Sequence, residues 1–139
     1  MGQGSRGTVE GGVNMFVRGI RGATTVEHND EQEILSATFE LLNAIIDANQ
    51  FKPEDIGALF ITVTHDITAT FPAKAIRQMV GWELVPLMCS LEIPVENSLP
   101  KCIRLMVMIN TEKDQADMHH VYLKAAQSLR PDIVKLTNP

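Results

Sequence analysis

The sequence predicts an α+β domain, a mixed β-sheet with three helices, that associates with copies of itself. Segments of strand character and segments of helical periodicity follow one another in the order βαβαββα. The strand segments carry apolar residues on both sides, whereas three helices cover little more than one face of such a sheet. The other face therefore needs cover from outside the chain, and a second copy is the simplest source. At 139 residues the chain is one domain by length, able to bury roughly two-thirds of its unfolded surface without disulfides or a metal.

Residues 1–14, "MGQGSRGTVEGGVN", hold five glycines and three hydrophobic residues without periodicity, which predicts a disordered extension. Its "GQGSRG" fits the pattern G-x-G-x-x-G, but no strand precedes it, so the context a dinucleotide site requires is missing. Met15 is an alternative start. "MFVRGIRGATTVE" then reads as a strand interrupted by Gly19 and Gly22. Asn29 or Asp30 can cap a helix, with Gln32 or Glu33 at the reciprocal capping-box position. Ile34, Thr38, Leu41, Leu42, Ile45 and Ile46 recur at helical spacing up to about Asn49, and "FKPED" breaks the helix.

"IGALFITVT" is a second strand, apolar on both faces. Pro72 suits a first helical turn, with Ile76, Met79 and Val80 as the buried face and Gly81 as the stop. "WELVPLMC" is a third strand, "SLEIPVENSLPK" a loop and "CIRLMVMI" a fourth strand. The last helix is expected from about Gln115 to Leu129, capped by Asp114, with Met118, Val121, Tyr122, Ala125 and Leu129 on one face. "RPD" ends it, and residues 133–139 form a flexible tail.

Charge and composition exclude several classes of function. A net charge of −5 with no basic stripe argues against nucleic acid. No apolar run approaches the ~20 residues of a membrane helix. No secretory signal is legible, and two cysteines, Cys89 and Cys102, are expected as free thiols in a reduced, cytoplasmic setting. His119 and His120 are adjacent on the expected helix and point about 100° apart, so they cannot share a metal as i, i+4 histidines can. No metal motif surrounds His28 or His65, and no Ser-His-Asp or Cys-His arrangement appears.

The arginines carry the functional signal. Period-2 alternation puts Arg104 on one face with Cys102, Met106 and Met108, and Ile103, Leu105, Val107 and Ile109 on the other. A guanidinium cannot lose its charge and is almost never fully buried without a partner. Either Arg104 makes a structural ion pair, with Glu92 the obvious candidate, or it faces a ligand. Lys74 and Arg77 are i, i+3 on the helix opened by Pro72, where the dipole also favours an anion. An acidic chain that gathers cations in this way points to a small carboxylate or phosphate ligand.

"RGIRGATT" (18–25), "FPAKAIR" (71–77), "VPLMCSLEI" (85–93), "KCIRLMV" (101–107), "HVYLKAA" (120–126) and "LRPD" (129–132) closely resemble the monofunctional chorismate mutases of the trimeric α+β type. The resemblance spans Met15 to about Asp132, so a domain over residues 15–132 is expected. It implies a ferredoxin-like topology assembled into a homotrimeric pseudo-α/β barrel, with active sites between subunits. The implied reaction is the rearrangement of chorismate to prephenate in phenylalanine and tyrosine biosynthesis, which needs no cofactor, metal or nucleophile.

Carried over position by position, the resemblance sets Arg104 against the breaking ether oxygen and Arg21 on a substrate carboxylate. Glu92 would accept the ring hydroxyl and neighbour Arg104. Tyr122 would contact the enolpyruvyl carboxylate, and Cys89, Met88 and Leu129 would line the pocket. Phe71, Ala73, Lys74 and Arg77 would come from the adjacent subunit, and Arg130 would help to cover the cleft. Met88 departs from the small polar residue the pattern favours. The alternative reading is a trimeric binding protein for an anionic metabolite that lost efficient catalysis.

Overall fold

The computed structural model describes residues 14–131. The expected N-terminal extension, apart from Asn14, and the tail at 133–139 lie outside the described residues. The chain forms strands β1 (Phe16–Thr25), β2 (Ile56–Val63), β3 (Leu87–Leu91), β4 (Cys102–Thr111) and β5 (Val121–Tyr122). Among the described residues the α-helices are α1 (Glu31–Asn49) and α2 (Ala73–Arg77), and 3-10 helices lie at Pro53–Asp55, Gln115–Asp117 and Lys124–Leu129. The five strands lie in the order β3-β2-β4-β1-β5.

β4 runs antiparallel to both β1 and β2, while β3 and β5 run parallel to β2 and β1 at the edges. β1, α1 and β2 thus make a split βαβ unit with β4 between the two parallel strands. This mixed sheet with helices on it is the α+β, ferredoxin-like arrangement that the sequence predicts.

α1 begins where Asp30, in extended backbone, accepts a hydrogen bond from the Glu33 N–H. Glu33 does not close the reciprocal capping box; its carboxylate instead accepts from the Glu27 and His28 N–H groups, bracing the turn before the helix. Gln50 ends α1 in the left-handed region, its N–H on the Ile46 carbonyl at 2.7 Å. The predicted stripe is buried: Ile34, Thr38, Leu41, Leu42 and Ile45 have no exposed surface, and Ile46 packs at the edge.

This helix lies on the sheet face formed by Ile20, Leu59, Ile61, Ile103, Leu105 and Val107, all buried. It sits close because β1 has a glycine beneath it. A Cβ built at Gly22 would stand 2.5 Å from Ile45 Cδ1 and 3.2 Å from Leu41 Cδ1.

Three expectations are corrected. The helix over 115–129 does not form: two 3-10 turns, Gln115–Asp117 and Lys124–Leu129, flank the extended β5. β-branched Val121 and aromatic Tyr122 pair with Gly22 and Ala23 of β1 instead. Tertiary pairing overrides a helical stripe of modest propensity.

The third strand starts at Leu87 rather than Trp82, since Trp82 and Val85 close turns onto Met79 and Trp82. Pro86, which has no N–H, contributes its carbonyl to Leu59. α2 ends at Arg77, and Val80, three residues beyond it, stands 95% exposed instead of joining the core.

Gly22→Ala tests the close approach of α1. The added methyl forces Ile45 and Leu41 to repack, and a loss of about 1–3 kcal/mol is expected, read as a lower Tm with secondary structure retained.

Candidate active site

Strand register assigns the functional side chains to a face. β4 places Cys102, Arg104, Met106 and Met108 opposite the face that meets α1, as period-2 alternation predicts. Arg104 lies between Ala23 of β1 and Thr62 of β2, and Arg21 stands opposite Met106 on the same face. The Glu92 N–H bonds to the Val63 carbonyl at 2.9 Å, extending the β2–β3 ladder by one residue. That brings its carboxylate beside Thr62.

The result is a cleft of about 280 Å³ lined by Arg21, Gly22, Phe60, Thr62, Glu92, Arg104, Leu105, Met106 and Tyr122. Arg104 Nε stands 3.7 Å from Glu92 Oε2, with 41% and 25% of the two side chains exposed. That separation is an ion pair too long for a hydrogen bond. The same Oε2 accepts a hydrogen bond from the Thr62 hydroxyl. One hydroxyl donor and one guanidinium charge therefore converge on the same oxygen of the carboxylate, and among the described residues no hydrogen-bond donor reaches Oε1.

Thr62 is a site residue that the sequence pattern alone does not single out. Its signal was present as a hydroxyl in an otherwise apolar strand, but only the register shows what it touches.

Tyr122 reaches the cleft through β5. It is buried in a small cluster with Ala23, Cys102 and Ala126, with Leu99 and Leu129 packed against it. Leu129 also lines a neighbouring depression with Glu92, Arg104, Thr64 and Cys102. Arg130 is half-buried, close enough for its charge to act on His120.

His120 is a second residue that sequence reasoning left aside. Its Nδ1 accepts the Arg21 backbone N–H at 2.9 Å. Burial, reinforced by the charges of Arg21, Arg130 and His119, lowers its pKa.

The other predicted residues lie elsewhere in the subunit. Cys89 pairs with Ile61 and so belongs to the α1 side of the sheet. With Phe71, Pro72, Ser90 and Leu91 it lines a separate cleft of about 520 Å³. Phe71 is 69% exposed. Met88, also exposed, pairs with Phe60 on the Arg104 face.

Ala73 has no exposed surface within the subunit, where it packs α2. Lys74 is engaged with Glu31 at 2.6 Å on the surface, and Arg77 is exposed. With five residues, α2 is too short for the dipole invoked at the sequence level.

The loop entering β4 is tied to the end of β2. Asp66 accepts the Lys101 N–H at 3.0 Å and the Thr64 hydroxyl, and Thr64 accepts the Cys102 N–H at 2.9 Å. Burial opposes ionisation of Asp66, yet these donors outweigh it and hold the pKa below the usual range. The clamp fixes the strand ends on either side of Arg104. Among the described residues, no group of three His, Cys, Asp or Glu side chains could hold a metal, and no helix is long and apolar enough to cross a membrane.

Comparison with known proteins is consistent along the whole domain. The family model for chorismate mutase type I matches residues 17–133. The chorismate mutase AroH of Bacillus subtilis (strain 168) is 48% identical over 119 residues, covering 86% of this chain and 94% of the relative. AroH of Thermus thermophilus is 47% identical over 119 residues, covering 85% and 97%. Among solved structures, a chorismate mutase from Clostridium thermocellum superposes with a TM-score of 0.77 at 46% identity, covering 79% of this chain and 97% of that one.

One consequence of the site's burial is chemical. Burial pushes the Cys102 thiol up to about 11, so it carries almost no thiolate near neutral pH. An alkylating reagent at about pH 8 is expected to leave Cys102 unmodified in the folded protein and to label it after denaturation, as peptide mass mapping would show.

Proposed function

The chain belongs to the chorismate mutase type I family, and from that premise we propose how its residues convert chorismate to prephenate. In this isomerisation a C–O bond of the enolpyruvyl ether breaks as a C–C bond forms within one molecule. No proton or electron has to be exchanged with the protein. The protein can accelerate it by holding the compact reactive conformer and by presenting a fixed positive charge where negative charge grows.

The observation that carries this reading is the Arg104–Glu92 pair at an open cleft shared with Arg21 and Tyr122. Arg104 places its guanidinium against the ether oxygen, and Arg21 holds a carboxylate. Glu92 accepts the ring hydroxyl on the oxygen that Thr62 and Arg104 leave to it. Tyr122 contacts the enolpyruvyl carboxylate, and Leu129 and Arg130 border the cleft. A guanidinium suits the role better than an ammonium because its planar fork can contact two oxygens and stays charged at any working pH.

We further propose that the working unit is a homotrimer with sites between subunits, formed by the domain over 15–132. Its support is the exposed apolar surface on the Arg104 face, where Val17, Phe60, Met88 and Met106 stand uncovered. Within one subunit, Phe71, Lys74, Arg77 and Cys89 lie outside the arginine cleft. A neighbouring copy that contributes Phe71, Lys74 and Arg77 would close it. Two free thiols, Cys89 and Cys102, fit a reduced cytoplasmic setting.

The test follows loss of chorismate absorbance and appearance of prephenate with purified protein, with mass determined by light scattering. Turnover by a trimer is expected. Binding without reaction would replace the mutase reading with that of a binding protein. Arg104→Lys should keep mass and Tm but lose about 10²–10³-fold in kcat, the scale of one preorganised donor. Near-normal turnover would remove Arg104 from its role. Thr62→Val should lower kcat/KM about tenfold, the scale of a hydrogen bond to a charged group, while Thr62→Ser restores most of it.

A further inference from the structure

β5 is two residues long, yet it carries Tyr122 into the cleft, and little of its anchorage is ordinary ladder. Before it, the Asn49 side chain at the end of α1 donates to the His119 carbonyl at 2.9 Å and accepts the His119 N–H at 2.8 Å. After it, the Leu123 N–H bonds to the Ala23 carbonyl at 2.9 Å. Between them, where a strand would offer Arg21 a backbone carbonyl, the His120 ring supplies Nδ1 at 2.9 Å. An Nδ1 that accepts a hydrogen bond carries no proton, so the ring is neutral with its hydrogen on Nε2.

We propose that His120, as the neutral Nε2–H tautomer, is the positioning residue that sets Arg21 against Tyr122, and that protonation of its ring releases β5 from β1. This goes beyond the family assignment and rests on the proposed roles of Arg21 and Tyr122 as carboxylate contacts. A proton on Nδ1 replaces the acceptor with a donor facing the Arg21 N–H, so the bond cannot survive.

Among the described residues, the charged and titratable groups acting on the ring are Arg21 from β1, Arg130 after the last 3-10 helix and the adjacent His119. All are cationic or become so, and they oppose a further positive charge. Burial acts in the same direction, so the pKa lies below the ordinary imidazole value. The neutral form thus holds through neutral pH and is lost only as pH falls below that value. The effect belongs to KM more than to kcat, because Arg21 and Tyr122 grip the substrate's carboxylates and Arg104 meets the reacting oxygen.

The experiment measures kcat and KM for chorismate between about pH 5 and 8 with wild type, His120→Ala and His120→Asn, whose amide oxygen can stand where Nδ1 stood. His120→Ala should raise KM about tenfold, the scale of one hydrogen bond, with a smaller change in kcat and no loss of oligomeric mass. His120→Asn should recover most of that loss and lack the acid-side rise in KM that wild type shows. An unchanged KM in His120→Ala, or the same acid-side rise in His120→Asn, overturns the proposal.

Nitrogen NMR of the ring, assigned by its disappearance in His120→Asn, reads the tautomer without substrate. A protonated Nδ1 at neutral pH also overturns it. Failure of wild type to turn over chorismate would instead strike the functional reading, leaving the NMR result to decide the tautomer and its bond to Arg21.

Discussion

The placement of the site follows from one constraint: among the described residues, a five-stranded sheet has one long helix to cover it. α1 takes one face, and its close seat over Gly22 leaves that side dry and filled with Ile, Leu and Val. Groups that cannot be dry are left to the other face, where water, a ligand or another subunit can reach them. Arg21, Thr62 and Arg104 are there because strand alternation leaves them no other side. A slip of one residue in β4 would drive Arg104 under α1 and turn Ile103 or Leu105 outward, so the hydrophobic core enforces the register of the site.

The Arg104–Glu92 pair illustrates how that face is organised. With both side chains partly exposed, such a pair contributes little to stability, since water screens it and holding long side chains costs entropy. Its value lies in preorganisation. Thr62 and Arg104 share one carboxylate oxygen, which orients Glu92 before a ligand arrives. At 3.7 Å that contact is not a hydrogen bond, so it leaves the five N–H donors of the Arg104 guanidinium to other partners. When a ligand and a second subunit displace water, the local dielectric falls and the same charges act more strongly. An arrangement that is weak as a fastener is thus suited to respond to charge developing in a bound molecule.

How much of this was legible in the sequence depended on range. α1 could be read from its cap to its last turn, because both the Asp30 cap and the Ile34 to Ile45 stripe are local signals. The face of Arg104 and its pairing with Glu92 were legible too, from alternation and the rule that buried charge seeks charge. Where local pattern competed with pairing, the reading failed. The segment "MHHVYL" has an acceptable helical stripe, but β1 offers Val121 and Tyr122 an open edge, and no periodicity within the segment reports that edge. Thr62 and His120 went unread for the same reason: their partners lie 30 and 99 residues away.

The failed helix also explains why the site can combine rigidity with adjustment. A continuous helix from 115 to 129 would have fixed Tyr122, Leu129 and Arg130 along one rod, with side chains on one face only at i, i+3 and i+4 spacing. The 3-10 turns on either side of β5 instead let Tyr122 enter the sheet while Leu129 packs over it and Arg130 comes close to His120. Arg104 is set by the two long ladders that flank β4 in the middle of the sheet, and Glu92 by the end of the β2–β3 ladder at the opposite edge from β5. Tyr122 depends on a few separate hydrogen bonds to α1 and β1. Elements held by few bonds open at lower free energy than core strands, so the edge that borders the cleft can move without disturbing the charges that face the reacting bond.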